Sequence, residues 1–167
     1  RSNLADGTII RQASTGRIFA VQSGAMLQIG STSVLTALGL QSRVTPVEDS
    51  IVNGMQIAGT LNGYGYRCGS TNYVAAGGSL HAYANADVER AWGLQHVQLT
   101  SWCTTLARGS AATQFVDDQA GAVSMLQGGR RLVVNSVAAL VSVNGHTQSR
   151  LSLSAAQLAS IPDGGWV

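Results

Sequence analysis

The sequence has no lysine at all: its ten basic side chains are all arginine, and they are scattered, with Arg130-Arg131 the only adjacent pair. Arginine suits planar, bidentate contacts and stacking, and a genome rich in G and C produces the same bias. Charged residues are only 11% of the 167, and the formal net charge is +2, which gives no basis for a nucleic-acid partner, since such proteins cluster their basic residues. No apolar run approaches the roughly 18 residues that a membrane-spanning helix needs. Two prolines argue against linkers and against a domain boundary, and a chain of this length forms one compact domain by default. Residues 1–167 are therefore read as a single domain.

Cysteine is scarce as well. Cys68 and Cys103 are too few for a metal site, which takes three or four ligands, and the three histidines (His81, His96 and His146) have no metal-motif spacing. A disulfide closing the 35-residue loop from Cys68 to Cys103 is expected, worth about 3–4 kcal/mol; two unpaired thiols in a reducing compartment are the alternative. No metal and no cofactor is expected.

What the chain has instead is the same phrase three times. Strand-like residues around Gly24, Gly78 and Gly129 recur after 54 and 51 residues, a period that marks one supersecondary unit copied in tandem. The copies span about 6–60, 61–110 and 111–167. Each opens with a strand (Gly7–Arg11, Gly63–Arg67, Thr113–Val116) of β-branched and aromatic residues. A hairpin follows, turning at Ser23-Gly24, Gly77-Gly78 and Gly128-Gly129, where glycine supplies positive φ. A short helix comes next. Its N-cap candidates are Ser31 or Ser33, Asn85 or Asp87, and Ser136, and its stops are Gly39, Gly93 and Asn144-Gly145. A fourth strand (Val44–Val47, Val97–Leu99, Leu151–Leu153) and a closing turn or short helix complete the unit. The last residues, Asp163-Gly164-Gly165-Trp166-Val167, echo Asp6-Gly7-Thr8-Ile9-Ile10. They point either to a longer array or to a terminal strand that closes a three-fold ring, removing exposed edges. The expected fold is mainly β with short helices, three tandem hairpin–helix–strand units in a pseudo-three-fold, propeller-like closed ring. A β-trefoil is the rival, and the recurrent helix argues against it.

The pattern Asp6-Gly7-Thr8-Ile9-Ile10-Arg11, then an aromatic-containing strand, a glycine turn and a short helix ending in glycine, resembles the roughly fifty-residue repeats of exported actinobacterial proteins. Those repeats often stand beside cell-wall hydrolase or other secreted enzyme domains. The resemblance spans nearly the whole chain and is best over 6–55; the third copy departs, with Ser124 where Phe19 and Tyr73 stand. It implies a secreted or cell-surface accessory module that binds glycan or cell-wall polymer, possessing no catalysis of its own. An exported chain is expected to have lost a leader before Arg1. The resemblance assigns no binding residues.

Chemistry-bearing motifs are absent. No Gly-x-Ser-x-Gly elbow or P-loop occurs, and Gly63-Tyr64-Gly65 lacks the third glycine of a dinucleotide loop. The adjacent carboxylates Glu48-Asp49 and Asp117-Asp118 point to opposite faces if on strands and read as turn or capping residues. The chain is expected not to be an enzyme. Candidate ligand contacts are aromatic and basic. Tyr64 and Tyr66 share a strand face and offer a stacking platform for sugar rings, and Gly65 between them permits close backbone approach. Tyr73 and Arg67 in the same unit join them, while Trp92 and Trp102 read as core. Arg130 and Arg131, past the third turn, suit an anionic polymer. The second function class is an interaction domain that packs on a neighbouring catalytic domain or partner protein.

Overall fold

The computed structural model describes residues 4–134 and 150–166. The fold is mainly β, with three mixed sheets and a few short helices. The first sheet contains β1 (Ile9–Gln12), β2 (Ile18–Gln22), β3 (Ala25–Ile29), β4 (Val44–Val47) and β5 (Ile57–Leu61) in the order β4-β1-β2-β3-β5. Helix α1 (Thr32–Ala37) carries the chain from β3 back across to β4, which lies parallel to β1. Helix α2 (Asp49–Asn53) then leads to β5, parallel to β3.

The other two sheets follow the same plan. The second holds β6 (Gly65–Cys68), β7 (Thr71–Ala76), β8 (Ser79–Ala82) and β9 (Val97–Leu99), ordered β8-β7-β6-β9, with helix α3 (Ala86–Trp92) in the crossover. Beside β8, parallel bridges Leu80–Arg108 and Tyr83–Ala112 stand where β5 stands in the first sheet. The third holds β10 (Phe115–Asp117), β11 (Val123–Gln127), β12 (Arg130–Val133), β13 (Leu151–Ser152) and β14 (Asp163–Trp166), ordered β13-β10-β11-β12-β14, with α4 (Ala155–Ala159) between the last two. No closed barrel, the basis of a β-trefoil, forms among the described residues. The terminal segment corrects the reading of its sequence. It resembles the opening of β1, yet β14 pairs with β12, as β5 pairs with β3, so among the described residues it completes its own sheet and does not pair with the first.

Local chemistry accounts for these elements. All three hairpins turn with both central residues at positive φ: Ser23 at 54° and Gly24 at 77°, Gly77 at 60° and Gly78 at 90°, Gly128 at 59° and Gly129 at 78°. This is the turn type whose twist matches paired strands. Ser23 pays a steric penalty that glycine avoids, and its N–H is held by Asp6 Oδ1 at 2.7 Å. Ser31, not Ser33, caps α1 by accepting from Val34 N, and Asn85, not Asp87, caps α3 by accepting from Val88 N. Ser154 caps α4. The third crossover helix expected after Ser136, with its stop at Asn144-Gly145, lies outside the described residues.

One apolar core runs through all three sheets, joining Ile9, Leu38, Tyr66, Trp92, Val116 and Leu153. Ile9 and Ile10 point to opposite faces of β1 and are 1% and 0% exposed, so the strand is buried on both sides, as parallel pairing favours. Ile10 packs with Phe19, Met26 and Val52 in a second cluster under α2. Each such buried side chain contributes roughly 1.5–3 kcal/mol.

The units meet through two kinds of joint. At the first, the glycine ending one crossover helix lies against the hairpin glycine of the next sheet. Gly78 N donates to Ala37 O at 3.1 Å, and Gly129 N donates to Ala91 O at 2.9 Å. A Cβ on Gly39 would come within 2.5 Å of Gly78 O, and one on Gly93 within 2.8 Å of Gly129 Cα. At the second, between the first and second sheets, Gln22 Oε1 accepts from Thr100 N at 3.0 Å and from Trp102 Nε1 at 2.7 Å, while Thr100 Oγ1 donates to Asp6 Oδ2 at 2.5 Å. Gly7 leaves room there for the Trp102 side chain, whose Cβ a methyl would meet at 2.6 Å.

The joint sets a quantitative expectation. Gly69 has φ +59° with open space around its Cβ position, whereas Gly93 has φ +61° and backbone against it. Gly69→Ala should cost about 1–2 kcal/mol, the left-handed penalty alone, and Gly93→Ala at least about 2 kcal/mol more, from overpacking. Urea unfolding of the two variants checks this; equal losses would remove the joint from the account.

Candidate functional site

The aromatic residues of the second sheet are structural. Tyr64 is 7% and Tyr66 1% exposed, so neither offers a face to a sugar ring, and the expected exposed platform is not formed. Tyr66 OH donates to Gly63 O at 2.6 Å, and Tyr64 OH shares a 2.7 Å hydrogen bond with Ser33 Oγ on α1. Burial, then the neighbouring Tyr64, raises the Tyr66 phenol above its ordinary range. The role read for Gly65 holds in another form: a backbone does approach it, and a Cβ would meet Gln95 O at 2.2 Å. Tyr73 is half-buried, with the Arg108 guanidinium 4.9 Å above its ring. Trp92 and Trp102 are core residues, each 3% exposed; Trp92 Nε1 donates to Thr113 O at 2.9 Å.

The opposite face of this sheet carries a polar chain under α3. Arg67 NH1 donates to Asn72 Oδ1 at 3.2 Å, and Asn72 Nδ2 donates to Glu89 Oε2 at 3.1 Å. Beside it, Tyr83 OH and His96 Nε2 are 2.8 Å apart, with the two rings edge to face. Burial lowers the His96 pKa; Glu89 opposes this and Arg67 adds to it. His81 is separate: its Nδ1 lies 2.7 Å from Ser110 O and its Nε2 3.0 Å from Ala76 O. His146 lies outside the described residues.

Arg130 and Arg131 do not act together. Arg130 is exposed, whereas Arg131 is half-buried and spends its Nε on Ile161 O at 3.0 Å. The adjacent acids serve turns. Asp118 Oδ1 accepts from Ala120 N and Ala122 N, and Asp117 Oδ1 accepts from Gln119 N; these backbone donors lower the Asp118 pKa. Asp49 is lowered by its hydrogen bonds from Ser14. Among the described residues, no three His, Cys, Asp or Glu side chains gather closely enough to hold a metal.

The expected Cys68–Cys103 disulfide is not formed. Both are free thiols, packed side by side between β6 and the 3₁₀ turn at Ser101–Thr105, where they act as small apolar groups. Burial, then the hydrogen bond with Cys103, pushes the Cys68 thiol up to about 12, with Arg108 opposing.

Sequence reasoning missed the place where all three units converge. A cavity of about 270 Å³ opens there, lined by Ser33, Thr36 and Gln41 of the first unit, Gly77 of the second, and Gln119, Ser154 and Gln157 of the third, with Ala37 beside them. Among the described residues, no charged side chain lines it. Ser33 Oγ, in the first turn of α1, is 3.4 Å from Ser154 Oγ, the cap of α4, so the starts of two helices from distant units meet at its wall. Gln157 is 2% exposed, and its Nε2 donates to Ala75 O at 2.8 Å. Gln119 has φ +68°, a conformation uncommon for a residue with a side chain. The only sequence signal was a glutamine in the apolar rhythm of Ala155-Ala156-Gln157-Leu158-Ala159.

No protein-family model matches the chain, and no curated protein does. Among solved structures, a chain of the periplasmic assembly from the ESX-5 inner membrane complex aligns over 96% of this chain and 60% of its own length, at 13% identity and a TM-score of 0.30. A chain of an intact ESX-5 inner membrane complex aligns over 96% and 52%, at 13% identity and a TM-score of 0.29. The chain thus spans little more than half the length of these neighbours, and likeness at that level defines neither a common fold nor a common role.

Two measurements follow. A His96 pKa below the free value of about 6.5 means that the neutral ring favours the fold. That contribution is present above the unfolded pKa and is lost as pH falls below it, because the unfolded chain then takes the proton more readily. The urea midpoint should drop between pH 7 and pH 5, and less so in His96→Gln; an identical drop in both would discount His96. Cys68 should alkylate about a thousandfold more slowly than a free cysteine at pH 8, because its thiolate is scarce. Alkylation at the free rate would show an accessible, ordinary thiol.

Proposed function

We propose that the chain is a tandem array of three copies of one strand–hairpin–helix–strand unit, kin to the repeats of exported actinobacterial proteins, and that it is a non-catalytic binding module for a carbohydrate or cell-envelope polymer. One observation carries the reading: the cavity at the junction of the three units is lined by hydroxyl and amide side chains and, among the described residues, by no charge. Uncharged sugars are recognised by such groups, which both donate and accept. A polymer lying over the junction would contact all three units at once.

The joints described above order the array from first to second to third unit. A pseudo-three-fold arrangement of the units belongs to this proposal. The chemistry of the rest agrees with a binding role, since His81, His96, Asp6, Asp49, Glu89, Asp117, Asp118 and Asp163 each serve hydrogen bonds within the fold. A secreted or cell-surface location belongs to this proposal. No described helix is long and apolar enough to cross a membrane.

A second reading is an interaction domain that packs on a neighbouring catalytic domain or partner protein. It is favoured by Ile51 on α2 and Ile57 on β5, both 41% exposed on the first unit.

The test is retention on purified bacterial cell walls and a panel of insoluble polysaccharides, with free sugars as competitors. Saturable, competable retention is expected, and Gln119→Gly, which removes a cavity side chain where φ suits glycine, should weaken it about tenfold, the worth of one good hydrogen bond. No retention on any polymer would overturn the proposal in favour of the second reading.

A further inference from the structure

Within the reading of a carbohydrate-binding module, on which this inference rests, we propose that the junction cavity takes the acetamido group of an N-acetylated sugar. The argument begins with Gln157. Its Nε2 must face Ala75 O, because a carbonyl only accepts, and the 2.8 Å bond fixes the amide orientation. Its Oε1 then has no partner among the described residues. Gln157 is 2% exposed, and a buried acceptor is costly to leave without a donor. In this proposal a donor on the ligand satisfies that acceptor from the cavity that Gln157 lines.

The remaining lining narrows the donor's chemistry. Among the described residues no charged side chain is present to pair with an anion or a cation, and Ala37 and Gly77 supply apolar surface beside residues bearing hydroxyls or amides. Ser33 Oγ and Ser154 Oγ are already engaged, the first with Tyr64 OH and the second as acceptor of Gln157 N. Gln41 and Gln119 still bring free amide groups. An acetamido group matches each feature: its N–H donates to Gln157 Oε1, its carbonyl accepts from a glutamine amide, and its methyl rests on Ala37 and Gly77. A plain hydroxyl satisfies the first contact and leaves the apolar surface uncovered. At about 270 Å³, the cavity is near the small end of ligand sites and suits one sugar residue.

The experiment is an NMR titration of the whole chain with the β-1,4-linked trimer of N-acetylglucosamine and, separately, with the matching glucose trimer, following the Gln157 side-chain amide. The expected result is that the acetylated trimer shifts that signal and binds at least tenfold more tightly than the glucose trimer. Gln119→Gly should weaken binding about tenfold. Gln157→Leu should abolish the preference, and thermal unfolding reports whether that variant is folded; if it is not, Gln119→Gly and the wild-type shifts decide. Equal binding of both trimers at the cavity would overturn the acetamido assignment and leave the carbohydrate reading standing. Binding of the acetylated trimer without any shift at Gln157 would place the site elsewhere and overturn the inference. If neither trimer binds and no polysaccharide retains the chain, both the inference and the reading fall.

Discussion

The structure depends on two backbones being able to touch. Where one crossover helix ends, its terminal glycine lies against a hairpin glycine of the next sheet, and a backbone hydrogen bond crosses the gap at Gly78 and again at Gly129. A side chain on Gly39 or Gly93 would hold the units apart. The same glycines already stand at positive φ to end a helix or turn a hairpin. One residue type thus meets two demands at one point, the local conformation and the close approach. This is why the stop of one unit and the turn of the next share their chemistry.

That contact places the functional surface. Because each sheet is docked through its turn, residues near the turns and helix caps are brought to the seams, and residues in mid-strand go to the core. Ser33 and Ser154 are 121 residues apart in sequence and meet at the starts of two short helices. Gln157 reaches from the third unit to the Ala75 carbonyl of the second. The junction cavity is a product of these seams, and no unit contains it alone. Among the described residues its lining is uncharged, which follows from the chain's economy of charge, with several of the few acids spent on turns: Asp6 on the Ser23 turn, Asp49 on Ser14, and Asp117 and Asp118 on the loop at Gln119.

The aromatic residues show why patterning misled about the site. Two tyrosines separated by glycine on a strand share a face, as expected, but which face meets solvent is decided by what packs there. Here the tyrosine face meets the common core, and the glycine face is closed by the Gln95 carbonyl. Tyrosine hydroxyls remain satisfied inside because Gly63 O and Ser33 Oγ lie within reach. The two cysteines were legible as neighbours and not as a bond. Their adjacency follows from β6 and β9 being parallel partners, while their state follows from local burial.

By itself the sequence determined the elements and their order. Strand residues, turn glycines, caps such as Ser31 and Asn85, and the helix stops at Gly39 and Gly93 are short-range choices, set by φ preferences and hydrogen bonds within a few residues, so they can be read along the chain. It also determined that three such units recur. Tertiary structure alone decided the partner of the last strand, the inward direction of the Tyr64 and Tyr66 faces, and the meeting of Ser33, Gln119 and Gln157 around one cavity. Those outcomes depend on contacts between residues far apart in sequence, and burial of the shared apolar core selects them only when all three sheets pack together.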